Sequence, residues 1–131
     1  MPRPKPTVLV VDDEQSNRVL AQRVLRRGGY NVTAVENAAE ATSVIQAKGG
    51  FQLYILDVLM PGARGTELAD EIRQVEPDAR ILFYTANSQT LLLPDRLIPG
   101  LEAILHKPVA NRKLLEAASL MLFGHTEGPT A

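Results

Sequence analysis

Five polar residues that could act together in chemistry each stand at the end of a short apolar run. They carry three carboxylates, one hydroxyl and one ammonium group, on Asp12, Asp13, Asp57, Thr85 and Lys107. Carboxylates about 5 Å apart repel by about 3 kcal/mol per pair at an effective dielectric of about 20, so three ionised together call for a compensating cation. Mg²⁺ is the natural candidate, because it prefers hard oxygen ligands and combines one or two carboxylates with phosphate oxygens.

A carboxylate beside such an ion can act as a nucleophile toward phosphorus and form an aspartyl phosphate. The Lys107 ammonium group could then neutralise one phosphoryl oxygen, and the Thr85 hydroxyl could donate a hydrogen bond to another. A new charge of about −1.5 to −2 would attract groups from several strand ends. The residue types therefore predict a phosphoryl-accepting switch, provided that the fold brings them together.

Short apolar runs alternate with longer amphipathic stretches along the chain. Runs with the form of strands covered on both faces lie at 8–11, 32–35, 53–56, 81–84 and 103–105. The intervening segments carry apolar residues at helical spacing. Right-handed crossovers then predict an α/β fold of three layers, a doubly wound (βα)5 parallel sheet between helices. Ligands of such folds bind at the carboxyl ends of the strands, where all five polar residues would lie.

Local signals predict where the helices begin and where one is disturbed. Asn37 can cap the second helix and Thr66 the third, while Pro108 suits the first turn of the last. Within 89–100, Pro94 would remove a backbone donor where a fourth helix is due. We therefore expect an irregular or shortened fourth helix.

Composition is typical of one globular domain. The 131 residues are 45% apolar, and 14 basic side chains balance 15 acidic ones. The lack of cysteine excludes disulfides, a thiol nucleophile and a cysteine-based zinc site. The net charge of −1 gives no field that would attract nucleic acid or anionic lipid, and no apolar stretch approaches a membrane span. With no signal-peptide pattern at the start, we expect a cytoplasmic protein without direct nucleic acid or membrane binding.

The sequence resembles the receiver domains of two-component response regulators. Four pieces carry the resemblance: Val-Asp-Asp-Glu at 11–14, Asp-Val-Leu-Met-Pro-Gly-Ala-Arg-Gly at 57–65, Thr-Ala at 85–86 and Lys-Pro at 107–108. They stand in the family's order at the predicted strand ends. The resemblance implies a flavodoxin-like sheet of order 2-1-3-4-5. It covers about 7–123, which would be the receiver domain. The proline-rich 1–6 is then an N-terminal arm, and the polar 124–131 is a C-terminal tail or linker start.

The resemblance also implies roles at the acidic cluster. Asp57 would be the phosphorylated residue and, with Asp13, a direct ligand of Mg²⁺. Asp12 would act on the ion through water, and the main-chain carbonyl of Leu59 would be the backbone ligand. The phosphoryl donor would be a sensor histidine kinase or a phosphotransfer protein.

Further implications concern the opposite side of the site. Thr85 and Lys107 would contact the phosphoryl group, and the peptide bond before Pro108 would be cis. The domain would not be a dedicated enzyme, although it would assist its own phosphorylation and dephosphorylation. Its downstream effector stays unknown, and formation of a homodimer stays open.

Two departures from the family pattern concern how the phosphorylated state is reported. Ile104 stands at the switch position, where relatives carry an aromatic residue that moves inward, and an aliphatic side chain has no aromatic edge or hydroxyl to present. The segment 89–100 lies on the same side of the domain.

Leu59 and Asn87 stand where the family tunes dephosphorylation through access of water, and an apolar Leu59 would hinder that access.

Two alternatives stand beside the phosphorylation switch. One is a degenerate receiver that acts as a phosphorylation-independent protein-interaction module, which Ile104 and the broken fourth helix favour. The other is a flavodoxin-like cofactor carrier of the same topology. It would need a glycine- or hydroxyl-rich phosphate loop after the first strand, where Asp12, Asp13 and Glu14 would repel a phosphate.

Overall fold

A computed structural model describes residues 4–60, 63–86 and 97–129. The five parallel strands of its main sheet are β1 Thr7–Val11, β2 Asn31–Val35, β3 Leu53–Leu56, β6 Ile81–Thr85 and β7 Glu102–His106. Two short strands, β4 Leu59–Met60 and β5 Ala63–Arg64, form a separate antiparallel pair. The helices in the described residues are α1 Gln15–Arg27, α2 Ala38–Lys48, α3 Gly65–Val75 and α4 Asn111–Phe123.

The topology of the main sheet confirms the predicted doubly wound fold. Its strands lie in the order β2-β1-β3-β6-β7, which is 2-1-3-4-5 when only the strands of this sheet are counted. The fourth helix predicted within 89–100 falls mainly on residues outside the described ranges. None of the helices in the described ranges has both the length and the apolar character needed to cross a bilayer.

Alternating side chains of the strands build a core on each face of the sheet. One face carries Leu9, Leu56 and Phe83 and is covered by apolar residues of α2 and α3. The other carries Val10 and Leu82 and is covered by α1 and α4. Because both faces are buried, the strands are apolar throughout, as the continuous runs in the sequence indicate.

The predicted start of α2 is confirmed, whereas that of α3 is wrong by two residues. Asn37 caps α2, its side-chain oxygen accepting a hydrogen bond of 2.8 Å from the Glu40 N–H. Helix α3 begins at Gly65, and the N-cap position is held by Arg64, whose side chain makes no capping hydrogen bond, rather than by Thr66. The chain enters this helix directly from β5, and the Gly65 N–H is bonded to the Val58 carbonyl at 2.8 Å.

The predicted start of the last helix is also wrong. Helix α4 begins at Asn111 with Ala110 in the capping position, so Pro108 precedes the helix rather than lying in its first turn. The bond between Lys107 and Pro108 is cis, as the resemblance implies.

Candidate functional site

Backbone pairing fixes the strand ends that carry the candidate site. Asp12 follows β1 directly, and Asp57 follows β3 with its N–H bonded to the Val11 carbonyl at 3.0 Å. At the other side of the sheet, the Lys107 N–H is bonded to the carbonyl of Thr85 at 2.9 Å. The five predicted residues therefore lie at the carboxyl edge of one sheet, where doubly wound folds bind ligands.

Three carboxylates converge at this edge. One oxygen from each of Asp12, Asp13 and Asp57 can be chosen so that all three lie within 4.8 Å of one another. Asp12 is only 3% exposed, Asp57 is half-buried and Asp13 is exposed. A compact set of hard oxygen donors that is open on one side fits Mg²⁺, which keeps several waters and admits a phosphate oxygen.

Lys107 is the ammonium group that faces these carboxylates. Its Nζ atom lies 2.5 Å from Asp12 Oδ2 and 3.6 Å from Asp57 Oδ2. The side chain is 6% exposed, so solvent screens these two ion pairs weakly. One ammonium group cannot balance three carboxylates, which leaves the cluster with a negative excess that a divalent cation would compensate.

Asp12 is the most constrained of the three acids. Burial raises the pKa of its carboxyl group above the ordinary value of 3.8, although the Lys107 ion pair and a 3.0 Å hydrogen bond from the Glu14 N–H act in the opposite direction. Arg18 Nη1 donates to the Asp12 main-chain carbonyl at 2.9 Å. These contacts hold the carboxylate in place before any ligand binds.

The remaining predicted residues surround the cluster. Thr85 is fully buried at the end of β6, while the side chain of Leu59 is about half exposed, at 49%. Ile104 is half-buried, pairs in register with Phe83 and packs against the core on the side of α2 and α3. Asn87 lies outside the described residues.

Besides Arg18, two further residues near the site, Tyr84 and Gly65, were assigned no role from the sequence. The Lys107 ammonium group lies 5.0 Å from the centroid of the Tyr84 ring. At Gly65, a Cβ atom would overlap the main-chain oxygen of Asp57, so the lack of a side chain at residue 65 lets the start of helix α3 approach the main chain at Asp57. The alternation of strand residues places Tyr84 on the face of Lys107, a signal that could have revealed it.

Comparison with known proteins identifies the family. Residues 8–119 match the model of the response regulator receiver domain. The chain belongs to the receiver family. It is 32% identical over 115 residues to the response regulator receiver protein CpdR of Brucella abortus, covering 88% of this chain and 95% of CpdR. The crystal structure of response regulator TrrA from Thermotoga maritima has a TM-score of 0.78 at 35% identity, covering 89% of this chain and 99% of TrrA.

The chain also resembles segments of proteins that are much longer than itself. The chain is 34% identical over 116 residues to the sensor histidine kinase GacS of Pseudomonas protegens, covering 85% of this chain and 12% of GacS. Receiver domains are signalling switches of two-component systems rather than dedicated enzymes, and they interact with histidine kinases or phosphotransfer proteins. The acidic cluster of this receiver domain is consistent with Mg²⁺ and phosphorylation.

Proposed function

We propose that this receiver domain is a switch that accepts a phosphoryl group on Asp57 with the help of Mg²⁺. The observation that carries the proposal is the position of the Asp57 carboxylate, beside Asp12 and Asp13 and 3.6 Å from the Lys107 ammonium group. The Asp57 side chain keeps 13% of its surface exposed, whereas that of Asp12 keeps 5% and forms the shorter ion pair with Lys107. Asp13 is more exposed than Asp57, but Lys107 pairs with Asp12 and Asp57. Asp57 is therefore the partly exposed carboxylate that has the ammonium group beside it.

Transfer begins with attack of an Asp57 carboxylate oxygen on the phosphorus of a phosphohistidine. An oxygen–phosphorus bond forms while the phosphorus–nitrogen bond breaks, and the leaving imidazole takes the electron pair of that bond. Lys107 neutralises one phosphoryl oxygen, for which its Nζ atom needs to shift away from Asp12. Thr85 would donate its hydroxyl hydrogen bond to another phosphoryl oxygen.

The protein ligands of Mg²⁺ would be Asp13, Asp57 and the Leu59 carbonyl, with Asp12 acting through water. When bound, Mg²⁺ supplies charge neutralisation at the phosphoryl oxygens as a Lewis acid. The Glu14 N–H and Lys107 hold the Asp12 carboxylate toward the cluster. Hydrogen bonds of this kind, made to the residues around a metal rather than to the metal itself, orient those residues.

The same residues would transmit the change of charge. Lys107 is bonded through its backbone to Thr85, the last residue of β6, so a shift of either residue at the phosphoryl group is mechanically linked to the other. Contacts of the domain with a partner would then differ between the two states. Ile104 stands at the proposed switch position, in place of an aromatic residue. Its side chain packs against the core, and it lies on β7 three residues before Lys107.

We assign the donor to a sensor histidine kinase or a phosphotransfer protein. The similarity to a segment of GacS, a sensor histidine kinase, supports such a pathway, and the complex of TrrA with Mg²⁺-BeF supports Mg²⁺ at the corresponding site. In this proposal, 7–123 is the receiver domain of a cytoplasmic protein, flanked by an arm at 1–6 and a tail or linker start at 124–131. Direct nucleic acid binding is not part of it.

The test is phosphorylation by acetyl phosphate in the presence of magnesium chloride, followed by intact mass measurement. The wild-type protein should gain the mass of one phosphoryl group, and Asp57→Asn should not. Asp78→Asn is the matched control, because this exposed acid lies in the turn before β6, at the opposite edge of the sheet. A wild-type protein that stays unmodified, or an Asp57→Asn variant that is modified equally, contradicts the proposal.

A second function, a phosphorylation-independent interaction module, is favoured by Ile104. Its aliphatic side chain is already half-buried against the core and carries no polar group that could respond to a change at Thr85. This alternative gives a partner the same affinity for the phosphorylated and unphosphorylated domain. A titration of both forms with the cognate kinase or effector separates the two functions.

A further inference from the structure

The side chain of Tyr84 lies on the face of the sheet covered by α1 and α4, which is the face from which Asp12 and Lys107 extend. Val10 and Tyr84 both pack on the side of α1 and α4, and Leu105, the register partner of Tyr84, does too. Residues two apart on a strand point the same way, so Asp12 and Lys107 continue this face beyond Val10 and Leu105. Three strand ends therefore direct Asp12, Tyr84 and Lys107 to one side.

Lys107 reaches Asp12 from a distant strand. In the order β1-β3-β6-β7, two strands separate the strand before Asp12 from the strand before Lys107, and Tyr84 is on one of them. The Nζ atom ends 5.0 Å from the centroid of the Tyr84 ring and 2.5 Å from Asp12 Oδ2. The ring thus borders the position at which the ammonium group meets the cluster.

This distance falls within the range of about 6 Å in which a cation is attracted to the face of an aromatic ring. The attraction is larger at sites removed from water, and the Lys107 side chain is only 6% exposed. An aliphatic side chain at position 84 would fill similar space but would offer no negative ring face. The interaction therefore has a chemical component beyond packing.

We propose that Tyr84 is a positioning residue whose ring face holds the Lys107 ammonium group at the acidic cluster, between Asp12 and Asp57 and within reach of a phosphoryl group on Asp57. The proposal deepens the proposed function and rests on it for its kinetic consequence. The ring acts through Lys107 and does not contact the phosphoryl group. Its hydroxyl has no part in this role, so phenylalanine should substitute for it and leucine should not.

The kinetic test compares the rate constants of phosphorylation by acetyl phosphate at saturating magnesium chloride. Tyr84→Leu should lower the rate constant about fivefold, which corresponds to about 1 kcal/mol, whereas Tyr84→Phe should stay within about twofold of the wild type. Leu105→Ala is the packing control, since it removes a half-buried neighbour on the same face but leaves the ring in place. It should reduce stability without reproducing the loss of rate.

A double-mutant cycle tests whether Tyr84 acts through Lys107. In a Lys107→Ala background, Tyr84→Leu should have no further effect on the rate constant. An undiminished fivefold loss in that background, or equal losses for Tyr84→Phe and Tyr84→Leu, overturns the proposal.

A spectroscopic measurement tests the contact without any phosphorylation. In protein labelled with ¹³C and ¹⁵N, the side-chain methylene resonances of Lys107 nearest to Nζ should be shifted upfield by the aromatic ring, relative to the remaining lysines. The shift should persist in Tyr84→Phe and vanish in Tyr84→Leu. A shift that is absent in the wild type or unchanged in Tyr84→Leu overturns the positioning role, whereas a failure of Asp57 to accept phosphate would count against the proposed function alone.

Discussion

Lys107 forms its short ion pair with Asp12 and a longer one with Asp57. The Nζ atom lies 2.5 Å from Asp12 Oδ2 and 3.6 Å from Asp57 Oδ2. The ammonium group therefore neutralises mainly the buried carboxylate of Asp12, while the half-buried carboxylate of Asp57 has the longer contact. This division leaves Asp57 available as a nucleophile with a cation beside it, and it leads to separate predictions for the residues involved.

Replacing Asp12 by asparagine should stabilise the metal-free protein near neutral pH by about 1 kcal/mol. Burial raises the Asp12 pKa, so the desolvation of its carboxylate outweighs the Lys107 ion pair. In the variant, Lys107 keeps a carboxylate partner in Asp57. Urea unfolding in the presence of EDTA measures the difference, with Asp78→Asn as the control.

The pH dependence of that difference follows from the direction of the same pKa shift. Because the folded protein binds the Asp12 proton more tightly than the unfolded chain, the carboxyl group favours folding below its unfolded pKa of about 3.8. That contribution is lost as the pH rises through the raised folded pKa. The advantage of Asp12→Asn should therefore shrink on acidification, and an advantage that grows at low pH would contradict this explanation.

Magnesium chloride should stabilise the wild-type protein, by about 2.7 kcal/mol when its concentration is a hundred times the dissociation constant. The ion would relieve the repulsion among three carboxylates whose oxygens lie within 4.8 Å. Asp13→Asn should weaken this stabilisation, since Asp13 is a proposed direct ligand. Unfolding curves at several magnesium concentrations give the dissociation constants, and an equal response of Asp13→Asn and the wild type would exclude Asp13 from the site.

Truncating Lys107 should affect both phosphorylation and stability. Lys107→Ala should slow the reaction with acetyl phosphate about a hundredfold, because a preorganised charge beside the phosphoryl oxygens is lost. Without magnesium the variant should also unfold more readily, since Asp12 becomes a buried charge without this partner. Lys107→Arg keeps the positive charge. Its stability should be closer to that of the wild type than its rate of reaction with acetyl phosphate is. An unchanged rate in Lys107→Ala would remove Lys107 from the mechanism.

Adding a methyl group at Gly65 should displace the main chain at Asp57. The new Cβ atom would overlap the Asp57 carbonyl oxygen, so Gly65→Ala should cost about 1–3 kcal/mol and slow phosphorylation. Gly100→Ala is an informative comparison, because Gly100 has a positive φ of 81° but open space around its Cβ position. That variant should lose stability through backbone strain alone and keep its phosphorylation rate. Similar rates in the two variants would show that the approach of Gly65 to Asp57 is unimportant for the reaction.

Much of the fold follows from the sequence because both faces of the main sheet are buried. The continuous apolar runs at 53–56 and 81–84 mark β3 and β6 almost residue by residue, and Asn37 caps α2 as its side chain predicts. Thr66 and Pro108 suggest helix starts that the structure does not use. A capping signal depends only on neighbouring residues. The first residues of α3 and α4 are set instead by where the preceding strands end and by the path of the segments that follow them.

The members of the site were predictable, but their pairing was not. Residue type and position at a strand end identify Asp12, Asp57 and Lys107 as neighbours. No sequence rule shows that Lys107 pairs more closely with Asp12, since this depends on the burial of each carboxylate and the path of the lysine side chain. The ring of Tyr84 was overlooked because an aromatic residue in an apolar run is usually read as core.

The central claim is tested most directly by locating the phosphoryl group. Treatment with acetyl phosphate and magnesium chloride, followed by borohydride, reduces an aspartyl phosphate to homoserine, which peptide mass spectrometry can assign to one position. We predict homoserine at position 57 of the wild-type protein and none after treatment without acetyl phosphate. Absence of homoserine from position 57, or its appearance at Asp12 or Asp13 instead, would contradict the assignment of Asp57 as the acceptor.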